Sequence, residues 1–232
     1  MSLDGLEQVM LDLGFNLPKG RAPCFLFIGA HCDDIEIGCG GTVLELVKQF
    51  PDAVIHWVVL SSGKERAKEA QQAARHFLRG ARNATVAVKN FRESFFPSEA
   101  PLIKEFFEEI KRSSVPDVVF AHFRDDLHQD HRIVGELTWN TFRNHMILEY
   151  EIPKYDGGLG SPSVFVPLVS GSVKRKVDVL MKVFRSQLSR QWFTPDTFHG
   201  LMRLRGIECN APSGFAEAFY SRKLVLGARE SA

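Results

Sequence analysis

The chain has 232 residues, 44% of them hydrophobic, and its 29 Lys and Arg nearly balance 28 Asp and Glu for a formal net charge of +1. That length suits one large globular domain with a substantial core, and the charge balance gives no reason to invoke DNA or RNA as a partner. No apolar run reaches the roughly 18 residues of a membrane span, and acids stand in MSLDGLEQVMLDLGFNLPKG where a secretory signal carries Lys or Arg, so a cytoplasmic protein is expected.

Residues 1–20 read as a short amphipathic helix laid on the domain. A continuous apolar run, CFLFIG at 24–29, predicts a strand covered on both faces. Helical spacing over 42–50 follows, then a β-branched strand at 53–60. Residues 64–78 are rich in helix formers, 83–89 read as a third strand, and 98–112 as a helix capped by Ser98. VPDVVFA at 115–121 is a fourth strand and 130–145 a fourth helix. Alternation of this kind implies a Rossmann-like, mostly parallel sheet flanked by helices. A further strand ends at Tyr150-Glu151, and residues 152–163, rich in Gly and Pro, form a surface loop. A short strand at 164–168 and helices at 173–188 and 195–205 complete the chain. The expected organisation is therefore one domain, with a core over 23–150 and a C-terminal elaboration over 151–232.

Two segments carry chemistry. AHCDDIEIGCGGT, residues 30–42, follows the first strand, and FRDDLHQDHR, residues 123–132, follows the fourth. Ligands of open parallel sheets bind beyond the carboxyl ends of strands. There, two adjacent carboxylates beside an imidazole call for a cation, although Asp33 or Asp34 on its own would serve as a helix cap. Gly38, Gly40 and Gly41 are read as a tight turn into the helix; they do not match a dinucleotide fingerprint. In the second segment, His128 and His131 are three apart and share a face at the start of a helix. Both segments can face one crevice. The four cysteines, Cys24, Cys32, Cys39 and Cys209, show no C-x-x-C spacing and read as buried thiols in a reducing compartment.

Together AHCDDIEIGCGGT and LHQDHR resemble the LmbE/PIG-L family of zinc-dependent N-deacetylases, which act mostly on N-acetylglucosaminyl compounds. The resemblance covers residues 23 to about 150, and more weakly Ser186-Gln187 and Ala216 to Phe219. It implies His31, Asp34 and His131 as ligands of zinc, with iron as the alternative. It also implies Asp33 as general base, a protonated His128 as oxyanion stabiliser and acid, and Asp130 as a group orienting an imidazole. Two imidazoles, one carboxylate and an open position independently suit catalytic zinc. Cys32 stands where the family usually has proline. It is read as a spacer; a fourth ligand there would close the position water needs.

Arg66, Arg92, His122 and Glu151 are candidate contacts to a small N-acetyl amino-sugar substrate. For Arg66 and Glu69 an i,i+3 surface pair is the alternative. Trp192-Phe193 could stack on a sugar or pack a helix down, and His56, His76, His145 and His199 are read as structural. Two other functions share features of this pattern. A non-haem iron oxygenase uses the same two-His-one-carboxylate set, and a sugar- or nucleotide-binding module uses a similar sheet. A homo-oligomer is compatible with all of these readings.

Overall fold

The computed structural model describes residues 13–15 and 20–225. Its sheet begins at β1 (Cys24–Gly29), where side chains alternate between two cores. Phe25 and Phe27 face one, and Leu26 and Ile28 the other. A strand buried on both faces needs such an unbroken apolar run. β2 (Val54–Val59) and β3 (Asn83–Val88) extend the sheet on one side of β1; β4 (Val118–His122) and β5 (Met146–Tyr150) extend it on the other, all parallel. β6 (Val164–Pro167) and β7 (Ala216–Tyr220) complete the order β3-β2-β1-β4-β5-β7-β6, with β7 antiparallel to both its neighbours. The chain crosses outward in opposite directions from β1 and from β4. Their carboxyl ends therefore flank the switch point at which such sheets open a crevice.

Helices cover both faces. The core beside Phe25 and Phe27 takes side chains from α1 (Asp34–Gln49), α2 (Lys64–Phe77), α5 (Ser170–Val183) and α6 (Pro195–Glu208). The opposite core takes them from α3 (Phe96–Ser113) and α4 (Gln129–Thr141). The architecture is the α/β, mostly parallel sheet expected, built as one domain. Residues after 150 are more than an appendage, because they supply two strands and cover one core. The helix expected over 1–20 lies almost wholly outside the described residues; Leu13 to Phe15 carry no regular structure.

Several boundaries differ for local reasons. β4 starts at Val118 rather than residue 115, because Asp117 is spent on the start of β1. Its N–H donates to the Cys24 carbonyl and its carboxylate accepts from the Cys24 N–H. Ser98 does not cap α3: the helix begins at Phe96, and the Ser98 hydroxyl donates to the Phe95 carbonyl. α4 stops at Thr141 instead of 145, and α5 at Val183 instead of 188, the latter followed by a 3-10 turn at Arg185–Gln187.

The largest difference concerns α1, expected from residue 42 and observed from Asp34. Its glycines are not a turn into the helix but contact points within it. A Cβ on Gly38 would sit 2.2 Å from the Tyr150 ring, one on Gly40 2.7 Å from Phe77, and one on Gly41 2.5 Å from Leu168. Tyr150 cannot yield easily, since it is fully buried and its hydroxyl donates to the Ile28 carbonyl at 2.6 Å. Gly38→Ala is therefore expected to destabilise by about 3 kcal/mol through overpacking. At about 2–4 °C per kcal/mol for a chain of this size, Tm falls by about 6–12 °C. A thermal melt within 2 °C of the unaltered protein, at about 1 kcal/mol or less, would show that α1 can shift away from Tyr150.

Candidate metal centre

The crevice at the ends of β1 and β4 brings the two segments together. His31 follows β1, Asp33 is the N-cap position of α1 and Asp34 its first residue. His128 is the N-cap of α4, with Asp130 and His131 in its first turn. All but His128 are buried. His31 Nδ1 lies 3.3 Å from Asp34 Oδ2 and 3.2 Å from His131 Nε2, and His131 Nε2 lies 3.5 Å from Asp34 Oδ1. Donors on one tetrahedral ion with bonds of about 2.0–2.2 Å stand roughly 3.3–3.6 Å apart. The three side chains approach these distances pairwise, Asp34 meeting His31 through Oδ2 and His131 through Oδ1.

Each imidazole also turns its other nitrogen to a carboxylate. His31 Nε2 is 3.1 Å from Asp130 Oδ2. His131 Nδ1 is 3.2 Å from Asp126 Oδ2, though not aligned as a full hydrogen bond. Such carboxylates fix the ring and its tautomer for ligation. Asp130 is itself held by the backbone N–H groups of Ser94 at 2.6 Å and Phe96 at 3.2 Å. Asp126 accepts from the His128 N–H at 2.7 Å and from Lys154 at 2.7 Å. Asp126 and Lys154 were not singled out from sequence. Asp126 lies inside FRDDLHQDHR, and only its position behind His131 separates it from Asp125.

Among the described residues, two overlapping groups bring donors close enough to share an ion: His31 with His128 and His131, and Asp34 with His122 and His131. The extra members are engaged elsewhere. His128 Nδ1 accepts the Asp130 N–H at 3.2 Å, and His122 Nε2 accepts the Ala30 N–H at 3.0 Å while lying 3.0 Å from Asp34 Oδ2.

The charges follow from this packing. Burial would depress His31, but Asp34 and Asp130 outweigh it and raise its pKa to about 10. Burial and the neighbouring His122 push His131 down to about 3. Asp34 is held well below the usual carboxylate range, although burial opposes it, because three imidazoles face it. Asp33 moves up instead, burial outweighing the pull of Arg66. Arg66 reaches Asp33 Oδ1 at 2.7 Å and Glu93 at 3.5 Å, so it is committed to that carboxylate.

The remaining expected contacts are redistributed. His122 has no exposed surface, is stacked 3.9 Å from His131 and faces no solvent, so it is not a substrate contact. Glu151 is likewise buried and held by both arms of the Arg205 guanidinium at 2.6 and 2.9 Å. Arg92 is exposed with its guanidinium 3.5 Å over the Phe95 ring. Glu69 pairs with Ser186 rather than Arg66. Phe193 is buried against Phe184 and Phe198, packing rather than stacking on a ligand. Where a protonated His128 is expected, its Nδ1 accepts the Asp130 N–H, a contact that favours the neutral ring. Burial and His31 push it the same way.

Cys32 is fully buried, and its Sγ donates to the Ser61 carbonyl at 3.4 Å. Burial raises this thiol to about 12, so it stays protonated. It ties the loop after β1 to the segment that follows β2. Cys32→Ala should bind zinc within about twofold of the unaltered protein, far less than the roughly 10–100-fold lost with a group that orients a ligand. A larger loss in a folded variant, measured by chelator competition, would make Cys32 part of the metal site.

Residues 26–142, half of the chain, match the family described as PIG-L: GlcNAc-PI de-N-acetylase. Among solved structures, a conserved protein from Thermus thermophilus superposes with a TM-score of 0.68 at 22% identity, over 90% of this chain and 98% of that one. The N,N'-diacetylchitobiose deacetylase of Pyrococcus horikoshii gives 0.66 at 20% identity, over 86% and 84%. The 4-carboxy-2-hydroxymuconate hydratase of Pseudomonas putida gives 0.67 at 15%, over 90% and 100%. These structural likenesses establish the fold, which carries more than one chemistry. With the family match spanning both motifs, the chain belongs to the PIG-L (LmbE-like) family.

Proposed function

We infer that the protein is a metal-dependent hydrolase that removes the acetyl group from an N-acetylated amino sugar, with His31, Asp34 and His131 holding zinc or iron. The observation that carries this reading is the convergence of those three side chains, pairwise 3.2–3.5 Å apart with Asp34 turning Oδ2 to His31 and Oδ1 to His131, and a further carboxylate, Asp33, next in the chain. When bound, the ion supplies Lewis acidity to the acetyl carbonyl and lowers the pKa of water from about 15.7 to about 7.

The chain's own residues supply the rest. Asp33 accepts a proton from the attacking water, and Arg66 orients it for that transfer. The neutral His128 donates a hydrogen bond from Nε2 to the oxygen on which negative charge develops. Asp33 then returns its proton to the departing nitrogen as the C–N bond breaks, giving acetate and a free amine. Asp130 and Asp126 keep His31 and His131 in ligating orientation. An iron oxygenase would have no use for Asp33, and a binding module no use for the donor set.

Acetate release should be measured across N-acetylglucosamine conjugates that are free, nucleotide-linked, lipid-linked or polyol-linked, with and without chelator. Release from at least one conjugate, abolished by chelator and restored by zinc or iron(II), is expected. Absence of release by metal-loaded protein, or turnover that consumes oxygen, overturns the reading.

A further inference from the structure

We propose that Glu217 and Lys176 are positioning residues that hold a break in α1 and thereby aim Asp33 and Asp34. Helix α1 is not continuous. Cys39, at φ −145° and ψ 19°, separates a first segment that carries the acids from a second that packs into the core. A break leaves backbone donors at the start of the new segment and acceptors at the end of the old one without helical partners.

The C-terminal part of the chain supplies both. Glu217, on β7, accepts the N–H of Gly41 at 2.8 Å and of Thr42 at 2.6 Å through its two carboxylate oxygens. Lys176, on α5, donates to the Ile37 carbonyl at 2.6 Å and to Glu217 Oε1 at 2.6 Å. The anion thus sits at a helix N-terminus and the cation at a helix C-terminus, the polarity each prefers. Both side chains are buried, Lys176 with 2% and Glu217 with 4% of its surface exposed. The adjoining cavity, lined by Ile37, Lys176, Arg205 and Glu217, measures about 10 Å3. That is room for one water at most beside the intact pair. Glycine at 41 is part of the device, since a Cβ there would sit 2.9 Å from Glu217 Oε1.

The pair makes none of the hydrogen bonds around Asp33 and Asp34 directly. It acts through the five residues from Asp34 to Gly38, whose direction the break sets. As a statement about metal binding this rests on His31, Asp34 and His131 being the ligands; as a statement about the helix it does not.

The test compares Glu217→Gln, the double variant Lys176→Met/Glu217→Gln, and Val47→Ala. The double variant leaves no uncompensated buried charge and is expected to fold even where the single one does not. Val47 is buried in the second segment of α1, beyond the break, so its truncation lowers stability without touching the pair. Zinc affinity by chelator competition should fall by about tenfold or more in the folded Glu217 variants, as for other groups that orient ligands. It should stay unchanged in Val47→Ala at a comparable loss of Tm. Hydrogen exchange at the Ile37 N–H, bonded to the Asp33 carbonyl at 3.0 Å, reads the first segment without metal. It should quicken by about tenfold or more in the folded Glu217 variants and not in Val47→Ala, as local opening becomes easier.

Unchanged zinc affinity and unchanged exchange in the folded double variant overturn the proposal. So does an equal loss of affinity in Val47→Ala, because the effect would then follow stability alone. If the unaltered protein binds no ion, the metal reading fails, and the exchange measurement still decides the role of the pair.

Discussion

Asp33→Asn is expected to lose roughly 10²–10⁴ in kcat while keeping its metal, the range for removal of a positioned general base. The substitution preserves shape and an oxygen that can still accept from Arg66, so the base strength of the carboxylate is what changes. Asp33 and Asp34 are adjacent, yet their surroundings divide their roles. Asp34 faces His31, His122 and His131 at 3.0–3.5 Å, whereas Asp33 faces Arg66 at 2.7 Å. A carboxylate among imidazoles is placed to share an ion with them. One opposite a guanidinium is placed to exchange a proton while its orientation is held. Metal content by atomic absorption and kcat on the best acetylated substrate should therefore separate in this variant. Equal loss of both would mean that Asp33 is itself a ligand, and unchanged kcat would remove it from the chemistry.

The parallel core and the meeting of the two motifs were legible because each rests on a short-range signal. An unbroken apolar run such as CFLFIG has few structural alternatives, and acids with histidines at two strand ends converge in any sheet with a switch point there. What sequence did not show depends on contacts distant in the chain. Gly38, Gly40 and Gly41 look like a turn until Tyr150, Phe77 and Leu168 are seen against them. Residues 216–220, AEAFY, do not read as a strand, because Glu217 breaks the apolar pattern and its partner Lys176 lies on a helix, α5. The buried Glu151 looks like a substrate contact for the same reason: Arg205 is 54 residues away. Opposite charges buried as pairs are invisible to local periodicity. The contact that favours a neutral His128 was hidden too, since it comes from one backbone N–H two residues further on.

Replacing His31, Asp34 or His131 by alanine is expected to reduce zinc affinity by far more than the roughly 10–100-fold typical of losing an outer carboxylate. Asp130→Asn and Asp126→Asn supply that comparison within the same site, because each carboxylate lies beside an imidazole of the proposed ligand set, on the side away from the other donors. The series should thus fall into two tiers. The three alanine variants should come through dialysis against chelator essentially free of metal and without measurable turnover. The two asparagine variants should retain metal at elevated zinc and recover part of their activity there. His122→Phe decides between the two overlapping donor groups. A fully buried ring stacked on His131 can be replaced by one of similar shape without a nitrogen, at the cost of the acceptor for the Ala30 N–H. If His31 completes the set, this variant should belong to the outer tier; if it loses zinc as completely as His131→Ala while His31→Ala retains it, the ion lies between Asp34, His122 and His131 instead.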